Sequence, residues 1–248
     1  MMSELHGSPN IKNELIEEVA SSAKLFWDLR LTSGGDAGDT SRRDPETGYI
    51  YILPKPDPAR PFANWSEVGP DYVAVVDRDG SSVLDNGIEP TVELQTHIDI
   101  YNARPEVMAI VHSHGEWSQI FSIMRWDIPT FTSETFFVGG MGPIRCAPSG
   151  GVATAEVARE AVKAIGELAK AALLPSHGAV CVGRSFAEAF HAAEMVERAA
   201  RQATFIRLLG GAPQMPLSDL MSPERYLKMQ EAAAATGESV EAMLARAM

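Results

Sequence analysis

The segment Val107-Met108-Ala109-Ile110-Val111-His112-Ser113-His114 places the tightest limit on how this chain folds. An apolar run without polar alternation reads as a strand buried on both faces, and so central in a sheet. Helices must then cover both faces of that sheet. The run ends in two histidines, two positions apart. Side chains at i and i+2 of a strand leave the same face. His112 and His114 therefore project together from the end of a central strand, where one metal ion can take both.

A second apolar run, Ala171-Ala172-Leu173-Leu174, leads into Pro175-Ser176-His177-Gly178. His177 can complete a three-histidine face. One position is then left open for substrate, water or Glu93, which lies upstream in Pro90-Thr91-Val92-Glu93. An open three-ligand arrangement is that of a catalytic zinc-type site, whereas structural sites are closed by four protein ligands. Singly, each residue has an ordinary reading: a satisfied core pair, a loop histidine, a solvated helix carboxylate. The set points to a site because every member falls at the edge of an apolar segment.

Around these residues the chain alternates helices and strands. Ile11, Leu15, Val19, Leu25 and Leu29 predict a helix over 11–31, with Asn10 as its N-cap. The stretch 32–43 reads as a glycine-rich polar loop. Strands are expected at 49–53, 107–112, 171–174 and 179–182. A hairpin is expected from 72–77 and 81–84 around Arg78-Asp79-Gly80. Helices are expected at 91–102 behind Pro90, at 118–125, at 153–169 and at 185–209. The mixed stretch holding Phe136, Phe137 and Ile144 predicts two short strands. No repeat or linker interrupts 1–248, which predicts one α/β domain with a central mixed sheet. Residues 210–248 form its helical C-terminal tail, with two short helices from Ser222 onward.

A net charge of −12 and a pI near 4.9 argue against a phosphate backbone or an anionic membrane as partner. No apolar run approaches the roughly 20 residues of a membrane span. Residues 1–10 lack the charged and apolar regions of a secretory signal. The two cysteines, Cys146 and Cys181, sit in apolar surroundings and read as free thiols of a reducing cytoplasm.

Several segments, in order, resemble the class II aldolase and adducin-head family. Gly38-Asp39-Thr40-Ser41-Arg42-Arg43 resembles its Gly-Asn-x-Ser-x-Arg loop, and Pro90-Thr91-Val92-Glu93 its Pro-Ser-Ser-Glu. Tyr101-Asn102-Ala103-Arg104-Pro105 is similar to Tyr-x-x-Arg-Pro, and Val111-His112-Ser113-His114 to Val-His-x-His. Leu173-Leu174-Pro175-Ser176-His177-Gly178 matches Leu-Leu-x-x-His-Gly, and Glu188-Ala189-Phe190 follows in the usual place. The resemblance runs from about residue 15 to 209.

It implies a three-layer α/β/α fold with a mixed, mainly antiparallel sheet, and a homotetramer with active sites between subunits. It implies one divalent ion per subunit, Zn2+ foremost, with Mn2+, Co2+ or Mg2+ as other candidates, on His112, His114 and His177. Glu93 becomes the catalytic acid or base, and Asp39, Thr40, Arg42, Arg43 and Thr91 become substrate-binding residues. The implied reaction is retro-aldol cleavage of a small hydroxy-carbonyl compound, through an enediolate that the cation stabilises. The alternative is a decarboxylase of a hydroxylated aromatic or heteroaromatic acid, which leaves a similar anion.

The departures shape the substrate. Asp39 stands at the family's Asn position and Val92 at its second Ser, so two groups that grip phosphate in sugar-phosphate members are gone. An unphosphorylated substrate is the expectation. Ser133 stands where the aldolases carry a tyrosine, and Tyr226 in the tail is the candidate to replace that proton donor.

Overall fold

The computed structural model describes residues 10–246, apart from Ser33 and Ser149. The N-terminal stretch read above for a signal lies almost wholly outside the described residues. Six strands form one sheet: β1 (Asp39–Arg43), β2 (Ile50–Ile52), β3 (Ala74–Val76), β4 (Ala109–Ser113), β5 (Ala171–Leu174) and β6 (Gly178–Gly183). Their order is β3-β2-β1-β4-β6-β5, and every ladder is antiparallel. An isolated bridge between Cys146 and Leu173 is parallel. β4 is central and buried along its whole length, as its unbroken apolar run requires.

Strand alternation sorts the core into two halves. Ile50, Ile52, Val76, Ile110, Ala172, Leu174, Val180 and Val182 leave one face. There they pack against α2 (Leu94–Ala103) and α5 (Ala155–Ile165). Tyr51, Leu53, Val75, Ala109, Val111, Leu173 and Cys181 leave the other face, towards α1 (Asn13–Asp28), α3 (Glu116–Met124) and α6 (Phe186–Leu208). The result is three layers, α/β/α. α6 lies close on the sheet because Ala189, Ala192, Ala193, Ala199, Ala200 and Ala203 face it. Ser185 caps α6 and Thr154 caps α5, each accepting from the N–H three residues on. Among the described residues no helix is long and apolar enough to cross a membrane. Both cysteines are free.

Several local expectations change, among them the start of α2, which leaves Glu93 just outside the helix, and both ends of α5, which spans Ala155–Ile165. Residues 39–43, read as loop, are β1. Its side chains are polar, so it lacks the apolar alternation that marks a strand. Thr40 and Ser41 are buried because Ser22, His97 and Tyr101 hydrogen-bond them. Of the two strands expected in the stretch holding Phe136, Phe137 and Ile144, the first is instead a helix, α4 (Ser133–Val138), started by Thr132, whose hydroxyl accepts from the Thr135 N–H, and the second is an isolated antiparallel bridge of Ile144 with Ile128. α1 begins after Lys12, not Asn10, and ends at Asp28 because Arg30 turns left-handed. The hairpin after β3 keeps its Asp77 turn, but 81–84 pairs through isolated contacts, the Val76–Ser82 bridge and the Val83 N–H to the Val75 carbonyl among them, and not as a continuous strand. The tail holds α7 (Pro223–Thr236) and α8 (Val240–Arg246), packed on each other, after a 3-10 turn at Leu217–Leu220.

Candidate metal centre

β4 delivers His112 within the strand and His114 one residue past its end. β5 and β6 are joined by a turn in which Ser176 is left-handed, and His177 sits at its close. Gly178 follows because a Cβ there would lie 2.1 Å from the Ser113 carbonyl oxygen across the β4–β6 ladder. That close approach brings the His177 ring to the other two. His112 Nε2 is 3.1 Å from His114 Nε2 and 3.3 Å from His177 Nε2. The ligand atoms of all three lie within 4.8 Å of one another.

The electrostatics suit a cation. Burial pushes the His112 imidazole down to about 4; Asp39 opposes this. Burial, and then His112 beside it, push His114 down to about 3. Both are therefore neutral at pH 7. His112 Nδ1 lies 3.1 Å from the Ala179 carbonyl oxygen, which can only accept, so Nδ1 carries the proton and Nε2 the lone pair. Without an ion, neutral rings at these distances can share N–H···N hydrogen bonds; with the protons on Nδ1, all three Nε2 lone pairs turn to one point. The three nitrogens fit a divalent ion of the zinc type and leave a position open.

Glu93 sits just before α2 and is 4% exposed. Its Oε1 accepts from the Ala153 N–H at 3.0 Å and lies 3.9 Å from His177 Nε2. Ala153 is left-handed, with φ 57°, so its N–H is aimed by a backbone conformation that a non-glycine residue rarely adopts. Burial raises the Glu93 proton affinity, and His177 partly offsets it. The loop donor at Ala153 escaped the sequence reading because a backbone N–H leaves no residue-type signal.

Residues 17–204 match the Class II Aldolase and Adducin N-terminal domain family. The chain belongs to this family. It is 27% identical over 182 residues to a 5-deoxy-D-ribulose 1-phosphate aldolase of Bacillus thuringiensis, covering 73% of this chain and 80% of the relative. It is 27% identical over 187 residues to an L-fuculose phosphate aldolase of Methanococcus vannielii, covering 75% and 93%. A solved L-fuculose 1-phosphate aldolase superposes with a TM-score of 0.76 at 24% identity, over 84% of this chain and 93% of that one. The fold is thus that of the class II aldolases, and family and relatives together place the chain among the lyases.

Against that class II aldolase frame, the substrate-binding candidates divide. Alternation along β1 puts Asp39, Ser41 and Arg43 on the α2 face and Thr40 and Arg42 on the α1 face. Asp39 pairs with His112 across the ladder and is buried. Its Oδ2 accepts from the Thr91 hydroxyl at 2.7 Å, and its Oδ1 lies 2.8 Å from His97 Nε2. Burial alone would raise its pKa, but His97 and the Thr91 hydrogen bond hold it at about 2. His97 Nδ1 meets the Ser41 hydroxyl at 2.7 Å, so this histidine orients β1. Thr40 bonds Ser22 beneath α1. Arg43 donates to the carbonyls of Tyr101, Pro105 and Val107, and Arg42 to that of Met108, at the end of β4 away from the histidines. Tyr226 lies on α7, and no described hydrogen bond or ring contact of the three histidines or Glu93 involves it. Ser133 opens α4.

Proposed function

We propose that this class II aldolase is a divalent-metal-dependent carbon–carbon lyase that cleaves a small hydroxy-carbonyl compound by retro-aldol chemistry. The observation that carries the reading is the convergence of three histidine nitrogens, with buried Glu93 at 3.9 Å from one of them. His112, His114 and His177 would hold the ion, Zn2+ foremost. When bound, it supplies Lewis-acid charge to a carbonyl and its neighbouring hydroxyl oxygen. Glu93 takes a proton from the substrate and returns it. Its burial raises its basicity towards the range a general base needs at neutral pH, and the Ala153 N–H keeps Oε1 on the His177 side.

The same reading gives an unphosphorylated substrate, although the named relatives are sugar-phosphate aldolases. A phosphate dianion needs several free donors and positive charge. Here the Thr91 hydroxyl is given to Asp39, Val92 offers none, and Arg42 and Arg43 are spent on backbone carbonyls. Tyr226 would supply the missing phenol to a neighbouring subunit's site in a cytoplasmic homotetramer, and residues 1–248 would act as one domain with 210–248 as its tail. The test is elemental analysis of the purified protein, followed by turnover of phosphorylated and unphosphorylated hydroxy-aldehydes and hydroxy-ketones. Turnover confined to the phosphorylated compounds would reject the substrate reading.

Decarboxylation of a hydroxylated aromatic or heteroaromatic acid is the second reading. It draws on a cleft of about 660 Å³ lined by Trp27, Asp28, Arg30, Thr32, Glu116 and Gln119, where a ring can stack on Trp27 and Arg30 would have to hold the substrate carboxylate against Asp28 and Glu116. Gln119 ties that cleft to the site, since its amide donates to the His177 carbonyl at 3.0 Å. Carbon dioxide release separates the two readings.

A further inference from the structure

Helix α3 is tied to two of the three histidines. It starts with Gly115 as N-cap, directly after His114. Its Gln119 amide donates to the His177 carbonyl at 3.0 Å, and its Ser122 carbonyl accepts from the Ser176 N–H at 2.9 Å. The spacing between His114 and the His177 turn is therefore set by where α3 begins. Yet α3 brings no side-chain cap of its own, because Gly115 has none, and its first N–H groups need partners.

Glu197, from α6, supplies them. Its Oε2 accepts from the Trp117 N–H and its Oε1 from the Ser118 N–H, both at 2.9 Å. A carboxylate at this end of a helix also meets the positive end of the dipole. Position 115 is glycine because a Cβ there would fall 2.2 Å from the Glu197 Cδ. On the other side, the His114 N–H is held by the Leu31 carbonyl at 2.7 Å. His114 is thus clamped between two anchors, one on each side along the chain.

We infer that Glu197 is a positioning residue for the metal centre: it fixes the start of α3 and so sets the separation of His114 and His177. The inference rests on the three-histidine reading proposed above. Glu197 touches neither the ion nor the substrate; it acts through α3. Metal-stripped protein titrated with Zn2+ against a chromophoric chelator, together with the melting temperature of the stripped protein, tests it. Glu197→Ala should lose about 10- to 100-fold in Zn2+ affinity, the range for groups that orient ligands. Glu197→Gln keeps one acceptor oxygen and should fall between. Gly115→Ala, which displaces the carboxylate without removing it, should weaken binding too, and the double variant with Glu197→Ala should be no worse than Glu197→Ala alone. Ile165→Ala, a cavity at the far end of α5, should lower the melting temperature and leave affinity unchanged. Wild-type affinity in Glu197→Ala would overturn the inference, as would an equal loss in Ile165→Ala at equal melting temperature. If Glu197→Ala does not fold, unchanged affinity in both Glu197→Gln and Gly115→Ala overturns it. Wild-type protein that binds no Zn2+, or His112→Ala and His177→Ala that bind as wild type, would sink the three-histidine reading itself.

Discussion

The roles proposed for Glu93 and the histidines differ, and single substitutions separate them. Glu93→Gln keeps the shape and still accepts from Ala153, but it removes the basic carboxylate. It should retain metal and lose at least roughly 10²-fold in turnover; elemental analysis beside a kinetic assay checks both halves. His112 carries a pH signature. Its folded pKa of about 4 lies below the ordinary 6.5. Between those values the unfolded chain binds a proton that the folded, metal-free chain does not. Stability is therefore full above about pH 6.5 and falls as pH drops towards 4, by about 1.4 kcal/mol per pH unit from this one group. Urea unfolding of metal-stripped protein at about pH 7 and about pH 5 measures the slope, and His112→Asn should reduce it while leaving the contribution of His114, whose pKa burial also depresses. At this scale residue type and spacing led to His112, His114, His177 and Glu93, which the fold brings together. The sequence was a poor guide to direction. Nothing in Asp39-Thr40-Ser41-Arg42-Arg43 says which of five polar side chains turns inward.

Among the elements, β4, β6, α5 and α6 were legible because burial and caps both leave marks in sequence. β1 was not, since its inward side chains are polar and are satisfied by Ser22, His97 and Tyr101, residues far off in the chain. α4 was not legible because Phe136 and Phe137 suit a strand as well as a helix, and only the cap at Thr132 decides between them. Thr132→Ala should cost about 1 kcal/mol, measurable by denaturant titration; no cost would contradict a capped helix. Gly178→Ala should do more. Its Cβ meets the Ser113 carbonyl oxygen, a backbone atom that cannot step aside without opening the β4–β6 ladder. A loss of about 1–3 kcal/mol or more is expected, together with weaker metal binding, because the same ladder sets His177 against His112.

For the whole molecule, the exposed apolar ends of α3 and α6 are informative. Ile123, Trp126, Leu208 and Leu209 lie open to solvent, with Leu209 at 85%, and Arg207 stacks on Trp126 at 4.1 Å. A homotetramer would cover such a surface. Light scattering should show four subunits, and Leu208→Glu with Leu209→Glu should shift the protein to smaller species; a wild-type monomer would reject the assembly. The sequence by itself determined the layer architecture and which residues are candidates for the site. Apolar periodicity dictates which faces are buried, and metal and proton chemistry admit few residue types at a given spacing. Only the tertiary structure decided what the polar residues do. Asp39, Arg42 and Arg43 could as well have bound substrate, and it is the pairing of β1 against β4 that commits them to Thr91, His97 and backbone carbonyls. Hydrogen-bond partners far apart in the chain are chosen by strand register and helix packing, and a linear pattern does not encode either.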